Sequence, residues 1–253
     1  MPDFRLTNYR QYLVSIRKRF NYLFTFDDFF SSPQSASNFC ILRHDVDRKP
    51  ANALKMAELE KDMGVCSTYY FRAKRHVLKP GIIRSIAALG HEIGYHYESL
   101  SDQKGDAEKA IKDFQLNLDR LRSIVPVTTI AMHGAPLSRF NNRDLWGAPE
   151  WYWMLKDKFG IKGEVYLDID YSDIAYITDT GRNWKMAKDN LRDHVGSNIQ
   201  VDLDSQEALV KYLKNPHDKL VFQTHPERWS DSFAGYGTQL LADTLINQIK
   251  RIL

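Results

Sequence analysis

Along most of this chain, short runs of consecutive apolar residues alternate with stretches that are apolar on one helical face, the pattern of strands followed by covering helices. The pattern predicts an N-terminal helix over Asn8 to Phe20, then strand 39–46, helix 50–63, strand 66–72, helix 81–89, a short strand 91–96, helix 105–122 and strand 127–133. The middle third is less regular. Strands are expected near 164–169 and 174–178, followed by a helix at 205–214, the strand Lys219 to Thr224 and a C-terminal helix from about 237 onward. Such alternation argues for an α/β fold with a parallel sheet. Barrel closure is preferred, because neither GxGxxG nor GxxxxGK[ST] appears where a nucleotide-binding sheet would carry it.

Composition narrows the function without naming it. The 253 residues suffice for a sizeable core, and no Pro/Gly/Ser-rich linker divides them. A formal charge of +3 gives no electrostatic case for nucleic acid as the partner. No apolar stretch reaches the roughly 20 residues of a membrane span. The opening Met1 to Leu6 lacks the charged-then-apolar pattern of a secretory signal, so a cytoplasmic protein is expected. Cys40 and Cys66 have no CxxC or Cys/His spacing and read as buried small hydrophobes. Residues 1–36 read as a helical extension packed on a barrel formed by 37–253.

The candidate chemistry gathers at predicted strand ends, where parallel sheets carry their sites. In Leu42-Arg43-His44-Asp45-Val46-Asp47, strand alternation turns Asp45 and Asp47 to one side. Paired acids of this kind suit a metal-and-base centre; they could equally begin the next helix. His96, His133 and His225 also fall at successive strand ends. Arg139, Arg182, Trp184 and Trp229 are candidates for gripping a ligand through a guanidinium fork or an aromatic face or, equally, for packing at the rim. Thr25-Phe26-Asp27-Asp28 resembles an acidic motif, but Thr25 followed by Asp28 reads as a helix cap.

The segment from Asp45 to Arg72, the stretch Gly90-His91-Glu92-Ile93-Gly94-Tyr95-His96 and the pair Thr224-His225 resemble the polysaccharide deacetylases, the fourth carbohydrate-esterase family. The resemblance implies an irregular (β/α)7 barrel with a divalent metal held by one aspartate and two histidines. Asp45 maps onto the family's base, Asp47 and His96 onto two ligands, and His225 onto the acid that protonates the leaving amine. Leu100 stands where the family carries its second histidine, and leucine cannot ligate. Glu98 and His133 are the available replacements. His133 is preferred, because imidazole restores the ligand types and the next strand end is placed to reach in.

The resemblance implies an N-deacetylase acting on an amino sugar or saccharide; the missing signal pattern points to surface polysaccharide biosynthesis, the ligand types make zinc the expected metal, and Arg139 and Trp229 are the expected substrate contacts. Another C–N amidohydrolase on the same barrel and a metal-free carbohydrate-binding protein are the competing readings. Nothing in the sequence indicates an oligomeric state. The segments around Asp168 and Asp170 and from Asp179 to Trp184 match nothing in the family pattern.

Overall fold

The computed structural model of the chain describes residues 3–31, 36–147, 149–184, 194–231 and 237. In chain order the first half runs α1 (Leu6–Arg19), β1 (Tyr22–Phe24), α2 (Phe26–Ser31), β2 (Phe39–Val46), α3 (Pro50–Asp62), β3 (Thr68–Phe71), α4 (Pro80–Ala88) and β4 (Glu92–Tyr97). The second half runs α5 (Ser99–Asp102), α6 (Ala107–Arg122), β5 (Thr129–Met132), α7 (Pro149–Phe159), β6 (Gly163–Glu164), β7 (Ala175–Thr178), α8 (Gln206–Lys214) and β8 (Lys219–Thr224). The predicted C-terminal helix lies outside the described residues apart from 237.

All strand pairings are parallel, in the order β6-β5-β4-β3-β2-β8-β7, with β1 beside the first half of β2. This is an irregular (β/α)7-type barrel, left open between β6 and β7. Side chains of the connecting coil, Val165, Ile169, Tyr171 and Ile174, join Ile41, Tyr70, Ala131, Tyr176 and Val221 in one interior cluster. The opposite faces of the same strands pack beneath the helices. Cys40, Leu42 and Phe222 meet α1 and α8 residues such as Tyr12 and Leu209, while Tyr95 and Ile130 meet Phe114 and Leu118 of α6.

Local signals place the helices. Asp106 caps α6 through the Lys109 N–H, and Ala110, Phe114, Leu118 and Leu121 form its buried stripe. Ser205 caps α8 through the Ala208 N–H. Inside the barrel, a Cβ on Gly94 would lie 2.2 Å from the Tyr70 ring, so the last glycine of GHEIG makes room for that ring. Among the described residues, no helix is long and apolar enough to cross a membrane.

Several expectations are corrected. The N-terminal segment is woven into the sheet, since β1 pairs with β2, and α2 plugs the interior cluster with Phe26 and Phe29. The strand expected over 164–169 ends at Glu164, because its carboxylate accepts the Tyr166 and Leu167 N–H groups at 2.6 and 2.9 Å and turns the chain. Helix α7 and strand β1 carry no clear periodicity and were not anticipated. Cys66 is exposed, unlike Cys40, because it lies in the link between α3 and β3.

Candidate active site

Register brings the chemistry together. His44 pairs with Thr224, Asp45 with Tyr70, and His96 with Ala131. Asp47, Glu98, His133 and His225 therefore leave the carboxyl ends of β2, β4, β5 and β8 at one mouth. The interior column Ile41, Arg43, Asp45 continues the alternation to Asp47, as the sequence spacing predicted.

Asp47, His96 and His133 present one donor atom each within 4.8 Å of one another. Nε2 of His96 lies 3.4 Å and Nε2 of His133 3.5 Å from Oδ1 of Asp47. Tetrahedral zinc with bonds of about 2.0–2.1 Å separates its ligands by about 3.4 Å. Oδ1 of Asp47 is buried, and among the described residues no donor is aligned on it. The spacing, the chemistry of the donors and this orphaned oxygen all fit a small divalent cation.

The groups behind the imidazoles favour the same reading. His96 directs Nδ1 at the Ala131 carbonyl at 3.0 Å, which leaves the Nε2 lone pair facing Asp47. Nδ1 of His133 lies 3.2 Å from Oε2 of Glu98, and Arg72 grips both oxygens of that carboxylate at 2.8 and 2.6 Å. Of the two replacements weighed for Leu100, His133 thus turns its Nε2 to the cluster, while Glu98 stands behind it. Leu100 itself is packed in the apolar layer outside the sheet. Burial lowers the pKa of His133, but Asp47 and Glu98 outweigh it and raise the value to about 9. Burial also pushes the Asp47 carboxyl up, yet His133 and His96 hold it well below its ordinary value.

Asp45 is buried beside this cluster, with Oδ2 3.5 Å from Nε2 of His96. Arg43, fully buried two residues earlier on β2, forms a two-pronged pair with it at 2.8 and 2.8 Å. Gln223 donates to Oδ2 at 2.7 Å and in turn accepts from Tyr176 at 2.5 Å. Burial raises the Asp45 pKa, but Arg43, His96 and His225 hold it below the ordinary value. Asp45 is thus ionised and fixed in direction.

His225 enters from β8. Its Nδ1 lies 2.6 Å from Oδ1 of Asp179, at the end of β7, and its N–H also meets that carboxylate. Arg228 and the indole N–H of Trp229 donate to Asp179 at 2.9 and 3.0 Å. Burial and Arg228 lower the His225 pKa, but Asp179 outweighs them and the value rises to about 9. Glu227, 2% exposed, also lies at this mouth, its pKa pushed up to about 7 by burial and then by Asp47.

The remaining sequence candidates separate. Arg139 is exposed on a groove that includes His133. Trp229 is 1% exposed, wedged against Phe4 and Tyr9, and its indole N–H is spent on Asp179; it offers no face to a sugar. Trp184 belongs to the same aromatic core, and Arg182 lies over Phe4. Asp168 is occupied by Tyr152, Lys156 and the Glu164 N–H. Asp27 binds Lys162 and Thr128, which precede β6 and β5, and so sits at the opposite end of the strands from Asp47. Thr25 and Asp28 exchange hydrogen bonds as a capping box.

Two partners escaped the sequence reading. In the sequence Asp179 falls in a segment that matches nothing in the family pattern, and Arg43 carries no role of its own. The available signal for Arg43 was its i, i+2 spacing to Asp45 on a strand; nothing local connects Asp179 to His225.

Neither a protein-family model nor a curated protein sequence matches this chain. Solved structures similar to it include a CE4 family pseudoenzyme from Bacillus anthracis, with 12% identity, TM-score 0.49, and coverage of 82% of this chain and 61% of that one. A Streptococcus mutans CE4 esterase is similar at 12% identity and TM-score 0.49, over 91% of this chain and 87% of the esterase. A family 4 carbohydrate esterase from Streptomyces lividans, solved with acetate, is similar at 14% identity and TM-score 0.44, over 85% and 91% of the two chains. This chain thus spans about three fifths of the Bacillus anthracis protein.

Proposed function

We propose that this chain is a divergent polysaccharide deacetylase, a metal-dependent hydrolase that removes an N-acetyl group from an amino sugar or saccharide. The observation that carries the reading is the Asp47/His96/His133 cluster, whose two imidazole nitrogens lie 3.4 and 3.5 Å from Asp47 Oδ1, flanked by an ionised carboxylate and a carboxylate-backed histidine. The two nitrogens and one oxygen favour zinc. A cation bound there supplies Lewis acidity to the amide carbonyl and to water.

The protein's own groups supply the proton traffic. Asp45, held ionised by Arg43, accepts the proton of the attacking water as the C–O bond forms. His225, protonated through Asp179, delivers a proton to the amide nitrogen as the C–N bond breaks, giving acetate and the free amine. His96 is kept in the ligating tautomer by the Ala131 carbonyl, and the Glu98 carboxylate stands 3.2 Å behind Nδ1 of His133.

Substituting Asp47→Ala is expected to abolish both zinc retention, read by elemental analysis, and acetate release from N-acetylated saccharides. Wild-type protein that stays metal-free after zinc supplementation, or an Asp47→Ala variant with unchanged turnover, would overturn the proposal.

A further inference from the structure

We propose that the site is built for an acidic saccharide, whose carboxylate or phosphate is received by Lys104 and Arg139 on a groove beside His133. The inference rests on the deacetylase reading and adds the substrate class. The groove has a volume of about 690 Å³ and includes His133, Glu98, Lys104, Ser138, Arg139 and Phe140 in its lining. That size is within the range of about 300–1,000 Å³ typical of small-molecule sites.

Charge pairing within the groove is uneven. Glu98 is taken up by Arg72 at 2.6 Å, and Asp102 by Lys74 at 2.6 Å. Both carboxylates are therefore already matched. Among the described residues, neither Lys104 nor Arg139 has an ion-pair partner, so the groove presents two unmatched cations. An anionic group on the substrate would complete the pairing, and a neutral one would not.

The two cations are also positioned. Lys104 adopts the left-handed region at φ 53°, and Gly105 follows at φ 87°. A Cβ on Gly105 would lie 2.2 Å from the Phe140 ring, so that ring rests directly against the turn that carries Lys104. The Arg139 guanidinium lies 4.8 Å from the centre of the same ring. Phe140 thus joins both cations to one rim.

Asn142 ties this rim to the proposed metal centre. Its side chain accepts from the Ser101 N–H at 2.9 Å and donates to the His133 carbonyl at 2.6 Å. The loop that carries Arg139 and the turn that carries Lys104 are therefore referenced to His133. A guanidinium resting over a ring keeps N–H donors available for an oxyanion.

The test compares three N-acetylated oligosaccharides: a neutral one, one bearing uronate carboxylates and one bearing phosphodiesters. Acetate release is followed in the wild-type protein and in the Arg139→Gln/Lys104→Gln double variant. Wild type is expected to favour one acidic substrate, and the acidic-to-neutral ratio of kcat/KM should fall about tenfold or more in the variant, chiefly through KM. The preferred acidic arm identifies carboxylate or phosphate. A wild-type preference for the neutral substrate, or an unchanged ratio in the variant, would overturn the inference.

If wild type releases acetate from none of the three, the deacetylase reading fails by itself. The groove is then judged by calorimetric titration of the same oligosaccharides. Tighter binding of an acidic one, lost in the double variant, supports the anion site, and equal binding of all three overturns it.

Discussion

Arg43 is the residue on which the proposed base depends. Its guanidinium, packed 4.7 Å from the centre of the Tyr166 ring, has no exposure to solvent and faces Asp45 with both prongs. Replacing it by methionine keeps much of the volume but leaves a buried carboxylate without its cation. Because general base catalysis contributes about 10²- to 10⁴-fold, Arg43→Met is expected to lose turnover on that scale. The Asp47/His96/His133 cluster does not include Arg43, so the zinc uptake proposed for the wild type should persist in the same sample. Loss of zinc together with activity would instead make Arg43 a structural support of the cluster.

Asp179 has the corresponding part opposite. Burial and Arg228 depress the His225 pKa, and Asp179 reverses them to bring it to about 9. The protonated form of His225, the proposed acid, is therefore present below that value and lost as pH rises through it. Asp179→Asn removes the raising charge, so the alkaline limb of the kcat profile is expected to move to lower pH. An unmoved limb would show that another group controls it. Strand alternation placed Asp45 and Asp47 on one side and the family resemblance gave them roles, whereas the pairing of Asp179 with His225 spans 46 positions and was not legible.

At the level of elements, most strands and helices followed from pattern, because a strand covered on both faces must be apolar throughout and a covering helix needs a stripe. The apolar stretches Phe39–Leu42 of β2 and Leu220–Phe222 of β8 matched expectation for that reason, whereas Arg43, His44, Asp45 and Gln223 on the same strands are buried through polar pairing. Helix α7 did not, since it exposes Trp151, Trp153 and Met154 and shows no clean polar face. Strand β4 carries a steric condition that composition does not show. Gly94→Ala would drive a methyl into the Tyr70 ring, and overpacking of this kind costs typically about 1–3 kcal/mol. Thermal denaturation should show a lowered Tm for Gly94→Ala, recovered in part by adding Tyr70→Val. Equal stability of Gly94→Ala and wild type would mean that the ring moves at little cost.

Across the whole molecule, one buried carboxylate joins the covering helices to the sheet behind the site. Glu60 of α3 takes His44 of β2 at 2.7 Å, Ser67 at 2.6 Å and Tyr69 of β3 at 2.8 Å, and it also accepts from Tyr9 of α1. His44 reaches Thr224 at 2.7 Å, so the same network touches the strand that ends at His225. Burial raises the Glu60 pKa, but His44, His91 and Ser67 bring it from 4.5 down to about 2. A depressed carboxylate stabilises the fold fully above its unfolded value and ceases to as pH falls through its folded one. Its contribution is on the order of 3 kcal/mol. Denaturant unfolding is expected to show Glu60→Gln with a weaker fall in stability between pH 4.5 and about 2 than wild type. Parallel slopes would remove Glu60 from the acid response.

Most of the barrel's strands, the acids at the end of β2 and the histidines at the following strand ends were readable from the chain, because burial and alternation act between residues close in sequence. Which replacement faces the centre, His133 or Glu98, depended on how β4 and β5 lie side by side. That Trp229 serves Asp179 from within the core, and that Lys104 and Arg139 share one aromatic support, depended on how distant loops pack. Side-chain periodicity encodes which way a residue points from its own element; what it meets there is set by elements that arrive from elsewhere in the chain.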